Sequence, residues 1–172
     1  MVPDSVTEHI PLLGAEGYQA LVNQLDALSR RHDLPVWRVT HLLDRYGSMV
    51  DELFALMAER PELAEPLDGA EEYLAVEVVY AARHEAALHL NDVLTRRTRI
   101  SIETPDRGVA AARAAAPLMA AELGWDEART GSEIEHYERR VQAEIESQTM
   151  TEDEKADAMR GHATDIRTRA HG

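Results

Sequence analysis

The chain has no cysteine in 172 residues. Disulfides, thiolate zinc sites, iron–sulfur ligation and thiol catalysis are therefore excluded, and nothing ties the protein to an oxidising compartment. Aromatic residues are scarce, at 5% with a single Phe, and lysine is nearly missing, since Lys155 is the one basic residue of 18 that is not arginine. Positive charge is in deficit: 18 Lys and Arg face 32 Asp and Glu, a formal net charge of −14. A surface this acidic repels phosphate backbones, so nucleic acid is not expected as a partner. No apolar run approaches the ~18 residues of a membrane span, so membrane insertion by this chain is not expected. Met1-Val2-Pro3-Asp4 has no basic stretch leading into an apolar one, so a signal peptide is not expected and a cytoplasmic location is. Glycine signatures for phosphate are missing too. Gly14 and Gly17 stand isolated at a helix entry, with no strand before them and no P-loop elsewhere.

What the sequence does have is helical periodicity. Tyr18, Leu21, Val22, Leu25 and Leu28 share one face and predict a helix over 16–31. Asp33-Leu34-Pro35 breaks it, and Pro35 suits the first turn of a second helix that ends at Gly47. Ser48 is expected to cap a third, with Val50, Leu53, Phe54 and Met57 inward. A fourth helix over 71–85 is apolar nearly all round, the mark of a central element. Asn91 is read as the cap of a fifth, and Ile100-Ser101-Ile102 as a short extended piece. Asp106 can cap an alanine-rich helix that stops at Gly124, with a kink or two abutting helices expected at Pro117, and Trp125 is expected to fold back on its last turn. Asp126 can cap a long helix to about Gln148 with Ile134, Tyr137, Val141 and Ile145 as its stripe. The class is all-α: a single compact domain of six to eight helices over 1–148, then a short helix and a flexible tail over 149–172.

Candidate chemistry is thin. His84-Glu85 with His89 suggests a zinc site, but a five-residue step rotates the two imidazoles apart on a helix, where the zinc motif needs four. Glu133-x-x-His136 is half of a di-iron pattern, with no second half in the chain, and a solvated helix face is expected there. Serines are few and none sits in a nucleophile elbow. No catalytic, cofactor-binding or metal-binding residue is assigned. The run Arg96-Arg97-Thr98-Arg99 stands out in so acidic a chain. It serves either an anion or partner-domain contact or salt bridges to the chain's own acids, with Glu77, Glu85 and Asp92 as the candidates.

Five stretches taken in order carry more. Ile10-Pro-Leu-Leu-Gly14, His41-Leu-Leu-Asp-Arg-Tyr-Gly-Ser48, Glu77-Val-Val-Tyr-Ala-Ala-Arg-His-Glu85, Leu90-Asn-Asp-Val-Leu-Thr-Arg-Arg-Thr-Arg99 and Glu122-Leu-Gly-Trp125 together resemble the C-terminal helical domain of FAD-dependent glycerol-3-phosphate dehydrogenases, a domain shared with the related oxidases. The resemblance spans about residues 10–145. It implies a parent enzyme that oxidises sn-glycerol 3-phosphate to dihydroxyacetone phosphate and passes electrons through FAD to a quinone, peripheral at the inner face of a membrane. FAD would belong to an N-terminal flavoprotein domain, the expected partner, and no cofactor is expected in this chain. A homo-oligomer is a further possible partner. The motif residues Tyr46, Gly47, His84, Glu85, Asp92, Arg96, Arg97 and Thr98 are expected to be structural or domain-contact residues, with Glu85 gripping one arginine. The competing expectation is a free-standing helical interaction module.

Overall fold

The computed structural model describes residues 10–162. The expectations for the first four residues and for the tail beyond 162 lie outside that range. By its internal contacts the chain divides into two units, 1–61 and 62–172.

In the first unit four helices follow one another: α1 (Tyr18–Val22), α2 (Leu25–His32), α3 (Val36–Tyr46) and α4 (Val50–Glu59). The helix expected over 16–31 is thus two, because Asn23 and Gln24 form a turn between α1 and α2. Asp33 takes positive φ at the end of α2, and Leu34 is tied back by its N–H to the Ser29 carbonyl at 3.2 Å, leaving Pro35 to open α3 as expected. Ser48 does not cap α4. It lies in a 3₁₀ turn, Gly47–Met49, that runs directly into the helix. Val39, Leu42, Leu43, Val50, Leu53 and Phe54 are buried at three- and four-residue steps. The His32 ring stacks on Phe54 with centroids 3.8 Å apart.

The second unit opens with an antiparallel hairpin, β1 (Pro66–Leu67) and β2 (Ala70–Leu74), turned by Asp68-Gly69. The helix expected from residue 71 therefore begins at residue 75, as α5 (Ala75–His84). Its first turn is closed by Glu77, whose Oε1 accepts the Leu74 N–H at 3.0 Å, a bond that a fully buried carboxylate needs. Ile100-Ser101-Ile102 is helical rather than extended, in α6 (Ile100–Glu103). The Thr104 hydroxyl closes this short turn by donating to the Ile100 carbonyl at 2.7 Å.

The long helices are α7 (Val109–Leu123), α8 (Glu127–Gln148) and α9 (Asp153–His162), so Gly161 and His162, expected in the tail, are helical. Asp106 accepts from the N–H groups of Gly108 and Ala110, and Asp126 from that of Arg129, both as expected. Pro117 is exposed, so the backbone bond it cannot make faces water and α7 runs through it. Ala111, Ala112, Ala115 and Ala116 are fully buried in one core with Val78 and Ala81 of α5 and Tyr137 of α8. Small side chains let helix axes approach closely, which explains an alanine-rich helix in the middle of a core. Trp125 folds back on this core, its N–H bonded to the Ala120 carbonyl at 3.1 Å. The all-α class holds, with the hairpin as its one addition among the described residues.

Candidate functional site

The arginine run lies on an unusual turn. Residues Asp92–Arg97 form a π-helical turn, a geometry that recurs at functional sites. The sequence dictates it through two side chains. Asp92 Oδ2 accepts the N–H groups of Leu88 and His89, each at 3.1 Å, and so fixes the entry. Thr98 fixes the exit: its N–H and its hydroxyl both donate to the Val93 carbonyl at 2.8 Å, and Thr98 is only 3% exposed. Asn91, the expected cap, caps nothing with its side chain.

The three arginines then separate by role. Arg96 is paired with Asp92, an acid the sequence had put forward for it. Arg97 Nε donates to the backbone carbonyl of Glu85 at 2.9 Å, so a bond to Glu85 exists, and it runs through the main chain. Arg99 lies 3.3 Å from Glu103, while its backbone N–H reaches the Tyr73 hydroxyl at 3.2 Å, which in turn donates to Glu103 at 2.7 Å. The structure thus brings Glu85, Asp92, Arg96, Arg97 and Thr98 to one turn. His84 is exposed at the end of α5 and stacks on Tyr80, centroids 4.8 Å apart.

Sequence reasoning missed the most buried charge cluster near this turn. Glu133 is 2% exposed, not solvated as expected. Its Oε1 lies 2.9 Å from His89 Nδ1 and 2.5 Å from Arg129 Nη2, and its Oε2 accepts the Leu90 N–H at 3.3 Å. Arg129 Nη2 also lies 3.3 Å from His89 Nδ1, so the imidazole, the guanidinium and the carboxylate meet at one point. Arg129 also lies over the Trp125 ring at 5.8 Å. The cluster fastens α8 to the segment that enters the π turn. Its members pair with each other. Among the described residues no three His, Asp or Glu are placed to hold a metal ion.

Tyr46 and Gly47 belong to the first unit, where the motif is a crossing of two backbones. The Ser48 N–H donates to the Gly14 carbonyl at 2.9 Å. A Cβ on Gly47 would sit 2.1 Å from that carbonyl oxygen, and one on Gly14 would sit 2.7 Å from the Tyr46 oxygen. Both glycines also have positive φ, 84° at Gly14 and 56° at Gly47. Only glycine meets both demands. Tyr46 is buried beside the crossing. Nearby, the Tyr18 hydroxyl donates to Asp44 Oδ1 at 2.8 Å, a bond that raises the tyrosine's pKa.

Among the described residues no Rossmann-type dinucleotide site is formed. A dinucleotide needs a crevice at the carboxyl ends of parallel strands and a glycine-rich turn into a helix. The strands among the described residues are the two of one antiparallel hairpin. No helix among them is long and apolar enough to cross a membrane.

The chain is 46% identical over 168 residues to a glycerol-3-phosphate dehydrogenase of Mycobacterium leprae, which covers 98% of this chain and 29% of that protein. It is 48% identical over 166 residues to glycerol-3-phosphate dehydrogenase 2 of Mycobacterium tuberculosis, or 96% of this chain and 28% of that one. A glycerol-3-phosphate dehydrogenase of Synechocystis is 30% identical over 74% of the chain. The chain thus spans under a third of the length of these relatives. No solved structure matches it. The family model described as the C-terminal domain of alpha-glycerophosphate oxidase matches residues 5–130, and the chain belongs to that family.

Proposed function

We propose that this chain is the helical C-terminal domain of an FAD-dependent sn-glycerol-3-phosphate dehydrogenase and that it is catalytically inactive alone. The observation that carries this reading is the uneven coverage: 96–98% of this chain matches 28–29% of the mycobacterial dehydrogenases. In this reading the parent enzyme oxidises glycerol 3-phosphate to dihydroxyacetone phosphate, with electrons passing to a quinone at the inner face of a membrane. FAD belongs to the part of the polypeptide that this chain does not cover, in keeping with the lack of a parallel-strand dinucleotide crevice among the described residues. The contribution of each unit is a locally braced surface. The π turn and the Gly14–Gly47 crossing hold exposed surfaces in place for the larger partner, and Tyr46, Gly47, His84, Glu85, Asp92, Arg96, Arg97 and Thr98 are bracing or contact residues.

The test is glycerol 3-phosphate-dependent reduction of a soluble quinone analogue. The native polypeptide, isolated from its host with antibody to this chain, is expected to reduce it, and the 172-residue chain is not. A native polypeptide that binds no flavin and shows no such reduction removes the reading in favour of a helical interaction module.

A further inference from the structure

The first unit carries an apolar projection that its own fold does not use. Leu12 and Leu13 are 82% and 88% exposed, and Ile10 is 61% exposed. Soluble proteins rarely display clustered aliphatic side chains this openly unless a partner covers them. The segment is also built and not frayed. The Ala15 N–H donates to the Leu12 carbonyl at 3.0 Å, and Gly14 is locked against Gly47 by the backbone crossing. A recess of 390 Å³ lies between Pro11–Gly14 and Ser48–Met49, with Glu16 on its rim. Two aliphatic side chains held rigidly beside a recess present both a knob and a hole, the complementary relief of a protein interface.

We propose that the Ile10–Leu13 projection and its recess are the seat of this domain on the domain that precedes it in the same polypeptide. The inference rests on the reading given under "Proposed function". Two observations select this occupant. The family model that matches residues 5–130 is by description a C-terminal domain, so in family members the preceding part joins the chain on the N-terminal side, where the projection lies. The relatives also have more than two thirds of their length outside the match. The seat on the partner is an apolar hollow wide enough for two leucines, with a cation opposite Glu16.

The experiment is hydroxyl-radical labelling, read by mass spectrometry, on the 172-residue chain and on the native polypeptide that carries it. Labelling of Leu12 and Leu13 is expected to be fast in the chain and at least fivefold slower in the larger polypeptide. Equal, fast labelling in a larger polypeptide that oxidises glycerol 3-phosphate overturns the seat and leaves the functional reading intact. Slow labelling already in the 172-residue chain also overturns the seat, since the chain's own residues then cover it. A native product no larger than this chain overturns the reading and the seat together. As a second arm, Leu12→Asp with Leu13→Asp is expected to leave the melting of the 172-residue chain unchanged and to lower the urea midpoint of the native polypeptide. An unchanged midpoint there counts against the seat.

Discussion

The turn at Gly47 and the turn at Asp92–Thr98 are held by opposite means. At Gly47 two backbones touch, with no side chain between them, and the constraint is the absence of a Cβ. At the π turn side chains do the holding: Asp92 at the entry, Thr98 at the exit and Glu133 from α8 behind. The difference teaches where each motif can tolerate change. A backbone crossing admits no substitution, whatever its chemistry. A side-chain bracket is graded, strict at buried acceptors and loose at exposed arginines.

Four perturbations sharpen this contrast. The largest effect is expected from Gly47→Ala, which adds a Cβ 2.1 Å from a backbone oxygen at positive φ and should destabilise by about 4 kcal/mol in urea unfolding. A loss under 1 kcal/mol would mean that the crossing can open. Next is Glu133→Ala. It strips a buried acceptor from Arg129, His89 and the Leu90 N–H and is expected to cost about 3 kcal/mol, with Glu133→Gln costing less because it keeps one acceptor.

Third comes an alkaline limb. Burial pushes the Tyr137 phenol from 10.0 up to about 12 while its hydroxyl donates to the Arg107 carbonyl at 2.7 Å. A group whose folded pKa is raised stabilises fully below its unfolded value. Stability should therefore fall as pH rises from about 10 to about 12, by roughly 2 kcal/mol, and Tyr137→Phe should flatten that fall. Ultraviolet difference titration would show the Tyr137 phenol ionising late. The smallest effects belong to the arginines. Arg97→Gln removes the bond to the Glu85 carbonyl and should cost about 1 kcal/mol, whereas Arg96→Gln, an exposed i,i+4 pair, should stay within about 0.5 kcal/mol. Equal losses at the two positions would erase the distinction drawn between them.

The helical periods, the Asp126 cap and the Trp125 fold-back were legible because each depends on neighbours within four or five residues. The hairpin was missed although Asp68-Gly69 is a turn signature, because Tyr73 and Leu74 also fit the apolar run of the helix that follows. The π turn was not legible, since its stabilising bonds come from Asp92 reaching backward and Thr98 reaching five residues back. The burial of Glu133 did leave a signal. It stands four residues before Tyr137 and eight before Val141, on the stripe that goes inward, with Arg129 one turn earlier to neutralise it. A charge on a buried stripe reads as solvated until its partner across the fold is seen, and His89 is 44 residues away. The same holds for Gly14 and Gly47, which meet only in the folded unit.

The central claim is that this chain is one braced part of a larger enzyme. The most direct measurement is the mass of the native product, by immunoblot of host extract with antibody to the chain. The matched residues are 29% of the Mycobacterium leprae relative, so the account predicts a band roughly three times the chain's 19.2 kDa. A band at 19.2 kDa would contradict it.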